Sequence, residues 1–472
     1  MIWDFEKFSE NIALKNEYGV AVTYGELSMQ AQSMKQLIEK RSLIFCLCTN
    51  SIGSVSGYSS LLSQGMVPVL LNAHLEQGLL NNLVNTYKPG FIWSPTEQLD
   101  ILREYGNECC FEKYGYSLLK TSFGGEFELH DELCLLLTTS GSTGSPKFVR
   151  QSYRNVVSNA QSIVQYLELD ETEKPITTLP MNYTYGLSII NSHLMVGATL
   201  LLTDKGLMQK EFWKFFQEEA ATSFGGVPYT YEMLKKLKFF NMNLPSLRYM
   251  TQAGGKLIPK LHQEFAEYAA EMNKRFIVMY GQCEATARMG YLPANKSIEK
   301  CGSMGIAIPG GKFHLTDEKG NEIDEPNVAG ELIYEGDNVT LGYAECGDDL
   351  KKGDERGGVL ETGDMAQFDT DGYYYIVGRK KRFLKIYGNR VNLDEIDRLI
   401  KSEFDEIEVV SAGIDDHMYL FVTDEKLSDK VKHFVALKTG LNSGAFHMVT
   451  VDAIPKNDSG KILYKELAKY YE

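Results

Sequence analysis

The sequence predicts an α/β protein with a large N-terminal domain and a small α+β C-terminal domain, and three observations support this prediction. In the first 200 residues, short apolar runs such as Leu43–Cys48 alternate with segments of helical periodicity, which is typical of βαβ units and of a parallel sheet covered by helices. From residue 301, glycines and short strand-like runs indicate a β-rich subdomain over about 301–377. A basic, apolar-poor stretch at 378–381 then separates residues 1–377 from residues 382–472, which have their own helix and strand pattern.

The individual elements follow from local signals in chain order. Thr23 and Glu26 have the spacing of a capping box, and apolar residues then recur at helical spacing up to Ile38, so a helix is predicted there. The same reasoning predicts further helices at 52–64, 154–167 and 188–195, and strands at 67–71, 91–93, 176–179, 199–202, 330–334 and 372–377. Helix and strand thus alternate through most of the large domain.

The composition excludes several classes of function. The 472 residues include 48 Lys and Arg against 63 Asp and Glu, and the formal net charge of −15 argues against nucleic acid or anionic lipid as the main partner. The first residues carry acids where a signal peptide would be basic, and the most apolar stretch, 187–202, is interrupted by Asn191, His193 and Gly197. Neither a signal peptide nor a membrane span is therefore expected. Eight cysteines are too sparse for a disulfide scaffold, so the expected location is the reducing cytoplasm.

The segment 135–147 is the most informative part of the sequence for chemistry. An apolar strand leads directly into a run of small hydroxylated residues and glycines, which ends with Pro146 and Lys147. Glycines let a backbone close around an anion, hydroxyls can donate to phosphate oxygens, and the lysine adds positive charge. The glycine and lysine spacing differs from that of a nucleotide P-loop. A flexible turn is the alternative, but the density of the run directly after a strand favours phosphate binding.

Residues 139–147 resemble the phosphate loop of the adenylate-forming superfamily, which includes acyl-CoA synthetases, peptide-synthetase adenylation domains and luciferases. Four further segments resemble motifs of the same family in the same order: 280–284 (Tyr-Gly-Gln-Cys-Glu), 361–364 (Glu-Thr-Gly-Asp), the basic stretch 378–390, and 455–461 (Pro-Lys-Asn-Asp-Ser-Gly-Lys). Each motif is short, but five in the correct order make a chance match improbable.

The resemblance implies an ATP-dependent ligase that uses Mg²⁺. Such an enzyme activates a carboxylic acid as an acyl-adenylate and then transfers the acyl group to a thiol, here most simply that of coenzyme A. The phosphopantetheine arm of a separate acyl carrier protein is an alternative acceptor. A nucleotide-binding module with weakened catalysis is another alternative, because Cys283 stands where the family usually has Thr. A phosphotransferase is disfavoured by the absence of a Walker or kinase glycine loop.

The resemblance also assigns roles to individual residues. Glu284 is assigned to Mg²⁺, which prefers hard oxygen ligands. Asp364 is assigned to the ribose hydroxyls of AMP, and Arg379 to ribose or phosphate; turn chemistry and a solvated linker are the alternatives for these two residues. The full set assigned to ATP and AMP binding is Thr139, Ser140, Gly141, Ser142, Thr143, Gly144, Lys147, Gly254, Gly255, Tyr280, Gly281, Gln282, Cys283, Asp364 and Arg379.

Lys461 is the assigned catalytic lysine of the small domain. Adenylation develops negative charge as a carboxylate attacks the α-phosphorus, and a cation placed between the reacting oxygens would stabilise that transition state. A surface lysine is the alternative. The family implies a mobile small domain that rotates at a hinge, with Lys381 at the hinge position, and that brings the loop of Gly388 to the thiol channel.

For the acyl pocket the resemblance indicates Tyr183, Gly186, Val227 and Pro228, with packing at strand ends as the alternative. Family members that activate amino acids usually place an acidic residue near the first of these positions. Residues 174–203 contain no Asp or Glu, and a buried ammonium group without a counter-ion is costly. An uncharged aryl, acyl or hydroxy-acid tail is therefore favoured, although an acid could reach the pocket from elsewhere. The sequence does not name the acid.

Overall fold

The computed structural model describes residues 2–138, 147–380, 382–386, 389–404, 407–414, 416–457 and 462–471, with the backbone alone at 383, 385, 389, 390 and 392. The chain forms two compact units. The first comprises Met1–Lys312 and Tyr334–Leu360, and the second comprises Phe313–Ile333 and Glu361–Glu472. Among the described residues, no helix combines the length and the apolar character that crossing a bilayer would require.

Strands and short antiparallel pairs make up much of the chain. Up to residue 152 they are β1 (Ile12–Asn16), β2 (Ala21–Thr23), β3 (Leu43–Cys48), β4 (Val67–Asn72), β5 (Phe91–Pro95), β6 (Glu108–Lys113), β7 (Tyr116–Lys120), β8 (Leu133–Thr138) and β9 (Phe148–Ser152). Residues 200–344 add β10 (Leu200–Leu202), β11 (Ser223–Gly226), β12 (Tyr249–Gln252), β13 (Arg275–Tyr280), β14 (Gly290–Tyr291), β15 (Ile306–Ala307), β16 (Gly311–Thr316), β17 (Gly330–Gly336) and β18 (Gly342–Ala344). The remaining strands are β19 (Val359–Phe368), β20 (Tyr374–Arg379), β21 (Phe383–Ile386), β22 (Asn389–Asn392), β23 (Val409–Ile414), β24 (His417–Val422) and β25 (Phe446–Thr450).

The helices connect and cover these strands. In the first unit they are α1 (Tyr24–Leu37), α2 (Ile52–Ser63), α3 (Gln77–Tyr87), α4 (Leu99–Leu102), α5 (Tyr153–Leu167), α6 (Thr184–Met195), α7 (Lys210–Glu218), α8 (Pro228–Lys236) and α9 (Pro259–Glu271). The second unit has α10 (Leu393–Glu403), α11 (Ser428–Thr439) and α12 (Tyr464–Leu467). The predicted capping box is present at α1, where Thr23 and Glu26 each bond to the other's backbone N–H.

The first unit contains a central parallel sheet, as the sequence predicts. Its largest sheet has the strand order β18-β9-β8-β4-β3-β5-β7-β6, in which β8, β4, β3 and β5 are parallel and the outer neighbours are antiparallel. A second sheet runs β11-β12-β13-β14-β15 with a parallel β11-β12-β13 core. All six residues of β3 are buried, because helices cover both faces of a parallel sheet.

The predicted strand at 176–179 is wrong. That segment forms only isolated bridges, from Pro175 to Ser223 and from Ile176 to Leu201. Proline has no N–H to donate to a ladder, and Pro175 and Pro180 bound the segment on both sides. It therefore contributes single contacts to β11 and β10 without extending either sheet.

The second unit has a core on each face of its β23-β24-β25 sheet. Alternate residues of β24, Met418 and Leu420, pack in a cluster with residues of α10 and α11, whereas Tyr419 and Phe421 pack in another cluster with Ile454. This alternation follows from the twofold period of a strand.

The division into units differs from the predicted domain boundary at 377. The chain passes between units within β16, β17 and β19, which belong to one four-stranded sheet of order β16-β17-β19-β20. Pairing in this sheet joins segments that are distant in sequence. The domain boundary at 377 and the β-rich subdomain at about 301–377 stay predictions. At the predicted hinge 378–381, Gly378 and Arg379 extend β20, and Lys381 lies outside the described residues.

Candidate active site

The hydroxyl-rich loop predicted to bind phosphate connects β8 to β9. Its members Thr139, Ser140, Gly141, Ser142, Thr143 and Gly144 lie outside the described residues. Lys147, which directly precedes β9, is described and half-buried. Its Nζ lies 3.7 Å from the centroid of the Tyr343 ring and 3.5 Å from Oε1 of Glu345. A cation over an aromatic face is held by the negative quadrupole of the ring, so Tyr343 fixes the position of the lysine.

Tyr343 connects three groups of the first unit. It lies on β18, which pairs antiparallel with β9 through Tyr343 and Val149. Its hydroxyl donates a hydrogen bond of 2.7 Å to Oε1 of Glu284, and the guanidinium of Arg356 lies 4.8 Å from its ring centroid. Burial and the nearby charge of Glu284 raise the pKa of Tyr343 to about 12, so the hydroxyl stays protonated as a donor.

Arg150 holds the strand that carries Tyr343. Its fully buried side chain donates from Nε to the carbonyl of Tyr343 at 2.9 Å and from Nη2 to the carbonyl of Leu341 at 3.1 Å. Nη2 also forms an ion pair of 2.5 Å with Glu355. Burial lowers the pKa of Arg150 and the pairing with Glu355 opposes that shift. These bonds fix β18 beside β9 and therefore place Tyr343 next to Lys147.

Glu284 is anchored through its backbone. Its carbonyl accepts hydrogen bonds from the N–H of Thr340 at 3.0 Å, from the hydroxyl of Thr340 at 2.9 Å and from Nη1 of Arg356 at 3.0 Å. The turn Cys283–Ala285 that contains it follows the end of β13. The peptide is thus fixed on one side while the carboxylate extends to Tyr343.

The carboxylate of Glu284 fits the predicted role at Mg²⁺. Oε1 accepts from Tyr343, and Oε2 accepts no hydrogen bond within the described part of the chain. In that same part, no group of three or more His, Cys, Asp or Glu side chains is placed to bind a metal. A site with a single carboxylate ligand suits Mg²⁺, which commonly takes one or two carboxylates and completes its shell with phosphate oxygens and water.

Backbone geometry keeps the segment after β13 close to its own return strand. A Cβ on Gly281 would lie 1.5 Å from the carbonyl oxygen of Ala287, so only glycine fits this position. Gln282 donates from Nε2 to the hydroxyl of Tyr280 at 3.2 Å. Thr286 and Ala287 both have positive φ, at 51° and 88°. The chain between Tyr280 and Glu284 is therefore held in one tight path.

The structure brings most of the predicted acyl-pocket residues together. A Cβ on Gly254, whose φ is +80°, would lie 2.6 Å from the hydroxyl oxygen of Tyr183 and 3.1 Å from Cγ1 of Val227. A Cβ on Gly255 would lie 3.0 Å from Cγ of Pro228. Burial is the main cause that raises the pKa of Tyr183, and the proximity of Cys283 adds to it. In the first unit, the residues predicted to bind the nucleotide and those predicted to line the acyl pocket are thus neighbours.

Gly186 differs from the other predicted pocket residues. A Cβ there would lie 2.3 Å from the carbonyl oxygen of Pro180. The missing side chain therefore lets helix α6 start directly against the preceding turn.

In the second unit, Asp364 and Arg379 are cross-strand neighbours on β19 and β20. Nε of Arg379 lies 3.1 Å from Oδ1 of Asp364, whose side chain is 5% exposed, whereas that of Arg379 is 63% exposed. Gly363 adopts a φ of +69° at the start of this pair, and its carbonyl accepts from the N–H of Lys380 at 2.8 Å. The carboxylate is thus fixed while the guanidinium reaches solvent.

In addition to the loop residues 139–144, the predicted residues Lys381, Gly388 and Lys461 lie outside the described residues. The segments that flank 458–461 in the sequence are described, and Lys456 pairs with Ile462 in an isolated antiparallel bridge.

Sequence reasoning missed four residues that the structure places near these groups: Tyr343, Thr340, Arg356 and Arg288. Tyr343, Thr340 and Arg356 belong to no recognisable sequence motif, because their contacts are with residues that are distant in sequence. Arg288 leaves a weak signal, since it is an isolated charge in the apolar run from Ala285 to Leu292.

Comparison with known proteins decides the family. A sequence model described as AMP-binding enzyme matches residues 3–344. The chain belongs to the AMP-binding enzyme family. Among curated relatives, an oxalate–CoA ligase of Arabidopsis thaliana is 29% identical over 72% of this chain and 68% of that protein. A 2-succinylbenzoate–CoA ligase of Bacillus licheniformis is 28% identical over 71% of this chain and 70% of that protein.

Solved structures confirm the fold of this AMP-binding enzyme. The o-succinylbenzoate CoA synthetase of Bacillus subtilis, solved with its acyl-adenylate intermediate, matches with a TM-score of 0.76 at 22% identity over 98% of this chain and 97% of that chain. ATP-bound MatB from Rhodopseudomonas palustris matches with a TM-score of 0.78 at 20% identity over 98% of each chain. The α/β fold and the family expected from the five motifs are therefore confirmed.

Proposed function

We propose that this protein is an AMP-forming acid–CoA ligase. In the first step an oxygen of a carboxylic acid attacks the α-phosphorus of ATP, the bond to pyrophosphate breaks, and an acyl-adenylate forms. In the second step the thiol sulfur of coenzyme A attacks the acyl carbon, and AMP leaves. The observation that carries this proposal is the arrangement in which Tyr343 joins Lys147 to Glu284. The relatives named above are CoA ligases, which supports the thiol acceptor.

The described residues would divide the binding of ATP between them. Lys147 supplies a cation at the end of the hydroxyl-rich loop, where phosphate oxygens would lie. Glu284 would hold Mg²⁺, which neutralises charge on the phosphates when it is bound. Asp364 presents a buried carboxylate suited to accept hydrogen bonds from two ribose hydroxyls, and its partner Arg379 would supply a cation for ribose or phosphate.

In this proposal Lys461 stabilises the charge that develops during adenylation, and the small domain rotates at 378–381 between the two steps. One lysine loop cannot serve both steps from one position, which is why a movement is needed. The loop of Gly388 would then line the path of the thiol. Cytoplasmic location stays a prediction.

A carrier protein bearing phosphopantetheine is the second candidate acceptor, since its thiol is chemically the same as that of coenzyme A. Comparing coenzyme A with a holo-carrier protein as acceptor distinguishes the two.

A weakened adenylation step is the other alternative. Cys283 is 7% exposed and a thiol donates weakly, so this weakness would appear as slow pyrophosphate release with every acid. Release of ADP in place of AMP would contradict the ligase function altogether.

The proposed role of Lys461 in adenylation, and not in thioester formation, is tested with Lys461→Ala. We expect this variant to lose acid-dependent exchange of pyrophosphate with ATP, and to keep formation of the thioester from a supplied acyl-adenylate. Lys465→Ala, at an exposed position in the same C-terminal segment, is the matched control and should keep both activities. Equal loss of both half-reactions in Lys461→Ala would contradict the assignment. The acid is first found by screening fatty, aryl, hydroxy, amino and dicarboxylic acids for pyrophosphate release.

A further inference from the structure

Arg288 is a buried arginine whose contacts are all with neutral groups. Only 2% of the surface of Arg288 is exposed to solvent. Nε donates to the hydroxyl of Ser188 at 3.0 Å, and Nη1 donates to the hydroxyl of Tyr166 at 2.9 Å and lies 2.8 Å from the sulfur of Met279. Within the residues that the structure describes, Arg288 forms no ion pair with a carboxylate.

The neighbours of Arg288 are arranged to accept hydrogen bonds from it. The hydroxyl of Ser188 donates its own hydrogen to the carbonyl of Tyr185 at 2.7 Å, and the hydroxyl of Tyr166 donates to the sulfur of Met279 at 3.2 Å. Each oxygen therefore offers a lone pair to the guanidinium, which fixes the orientation of the side chain. Nη2 donates to no group of the described chain, so its two N–H bonds are available to a ligand.

A buried guanidinium without a counter-ion is costly. Removing an ionised group from water costs several kcal/mol, and neutral hydrogen-bond acceptors offset only part of that cost. Arginine stays charged in proteins, so the cost is not avoided by loss of a proton. The other deeply buried arginine of the first unit, Arg150, has Glu355 as its counter-ion. The environment of Arg288 therefore lacks a negative charge that a ligand could supply.

Arg288 lies against the residues that form the candidate acyl pocket. Its guanidinium is 5.0 Å from the ring centroid of Tyr185, and the ring of Tyr185 packs edge-on against that of Tyr183 at 6.4 Å between centroids. The hydroxyl of Tyr185 lies 2.9 Å from the position that a Cβ of Gly225 would occupy, on the strand that leads to Val227. The unpaired charge is thus separated from the pocket residue Tyr183 by one aromatic ring.

We propose that Arg288 binds a second carboxylate at the far end of the substrate, so that the acid activated by this enzyme is a dicarboxylate. The proposal rests on the ligase function proposed above. A planar guanidinium and a carboxylate form strong charge-assisted hydrogen bonds, and a dicarboxylate leaves its other carboxylate for adenylation. The absence of acids at 174–203 still argues against an amino acid substrate. Arg288, outside that segment, changes the expected tail from uncharged to anionic.

The experiment compares chain-matched pairs of acids: succinate with butyrate, glutarate with pentanoate, and isophthalate with 3-methylbenzoate. Pyrophosphate release is measured for the wild-type protein, Arg288→Met and Arg288→Lys, with Arg103→Met as control because both Arg103 and its partner Asp100 are largely exposed. We expect the wild type to favour one dicarboxylate over its partner by about 100-fold in kcat/KM. Arg288→Met should lose about 100-fold on that dicarboxylate only, and Arg288→Lys should lose less.

A second readout does not depend on turnover. The favoured dicarboxylate, added with AMP, should raise the Tm of the wild type and of Arg103→Met but not that of Arg288→Met. A wild type that uses the monocarboxylates equally well would overturn the proposal, even if Arg288→Met does not fold. An Arg288→Met protein with unchanged preference would overturn it as well. A wild type that releases no pyrophosphate with any acid would contradict the ligase function itself, which distinguishes that failure from the failure of the dicarboxylate proposal.

Discussion

The hydroxyl of Tyr343 lies 2.7 Å from Oε1 of Glu284, and the same tyrosine ring lies under Nζ of Lys147. One side chain therefore sets the distance between a cation and a carboxylate that come from distant parts of the first unit's sequence. Neither group contacts the other directly in this arrangement, and the aromatic ring prevents them from pairing with each other. Neither charge therefore neutralises the other, and Lys147 has the exposed carboxylate of Glu345 as its neighbour.

Tyr343→Phe tests this relationship, because it removes the hydroxyl and keeps the ring beneath Lys147. A hydrogen bond to a charged group contributes about 1.5–3 kcal/mol, so we expect a fall of about 10-fold or more in pyrophosphate exchange, with a higher Mg²⁺ requirement. Tyr18→Phe, at a 72% exposed position, is the control and should not change either quantity. An unchanged Mg²⁺ dependence in Tyr343→Phe would show that the hydroxyl does not position Glu284.

Gly281→Ala tests the tight path after β13. The added methyl group would meet the carbonyl oxygen of Ala287, so the segment that carries Glu284 must shift. We expect a loss of about 3 kcal/mol in the free energy of unfolding, measured in urea, together with loss of activity. Gly206→Ala is the control, since the nearest atom there is 3.9 Å from the added Cβ. Equal stability of the two variants would contradict the close approach of Gly281 to Ala287.

Asp364→Asn tests the nucleotide role of the second unit. The amide keeps the size of the side chain but loses the charge that strengthens hydrogen bonds from ribose hydroxyls and from Arg379. We expect KM for ATP to rise about 10-fold with a smaller change in kcat. Lys319→Gln is the control, because Lys319 lies at an exposed position of the same unit. If both variants raise KM equally, the effect belongs to the net charge of this region.

Two buried histidines are expected to make the stability of the first unit depend on pH. Nδ1 of His193 lies 2.8 Å from the carbonyl of Ile189, and Nδ1 of His262 accepts from the N–H of Gly302. Burial disfavours the charged form of each ring and outweighs the backbone hydrogen bonds that favour it. Burial lowers the pKa of each histidine to about 4. The unfolded chain binds a proton near pH 6.5 and the folded chain only near pH 4, so stability falls as pH decreases through that window.

The expected size of this effect is about 2 kcal/mol per histidine between pH 7 and pH 5. Urea unfolding at pH 7 and pH 5 measures it, and His193→Gln should show a smaller pH dependence than the wild type. His74→Gln, at an exposed position, should keep the full dependence. If His193→Gln loses as much stability between the two pH values as the wild type, His193 is not one of the groups responsible.

Much of the fold could be predicted from local sequence. The buried runs of β3 and β4, the capping box of α1 and the glycine-rich texture after residue 301 each reflect short-range patterns, and each appears in the structure. The strand prediction at 176–179 is wrong because an apolar run near prolines resembles a strand until its neighbours are known. The order of strands and the crossings between units within β16, β17 and β19 depend on pairing over long separations, which local patterns do not contain.

The candidate site divides in the same way. The sequence by itself determined the family and the reaction type, and it predicts the site residues that lie in contiguous motifs, because a phosphate loop or a tight glycine turn is built from neighbours along the chain. Only the tertiary structure decided that Tyr343 joins Lys147 to Glu284 and that Arg288 is buried without a counter-ion. Those properties depend on which strands and helices meet, and therefore on burial and charge contributed by residues more than 50 positions apart.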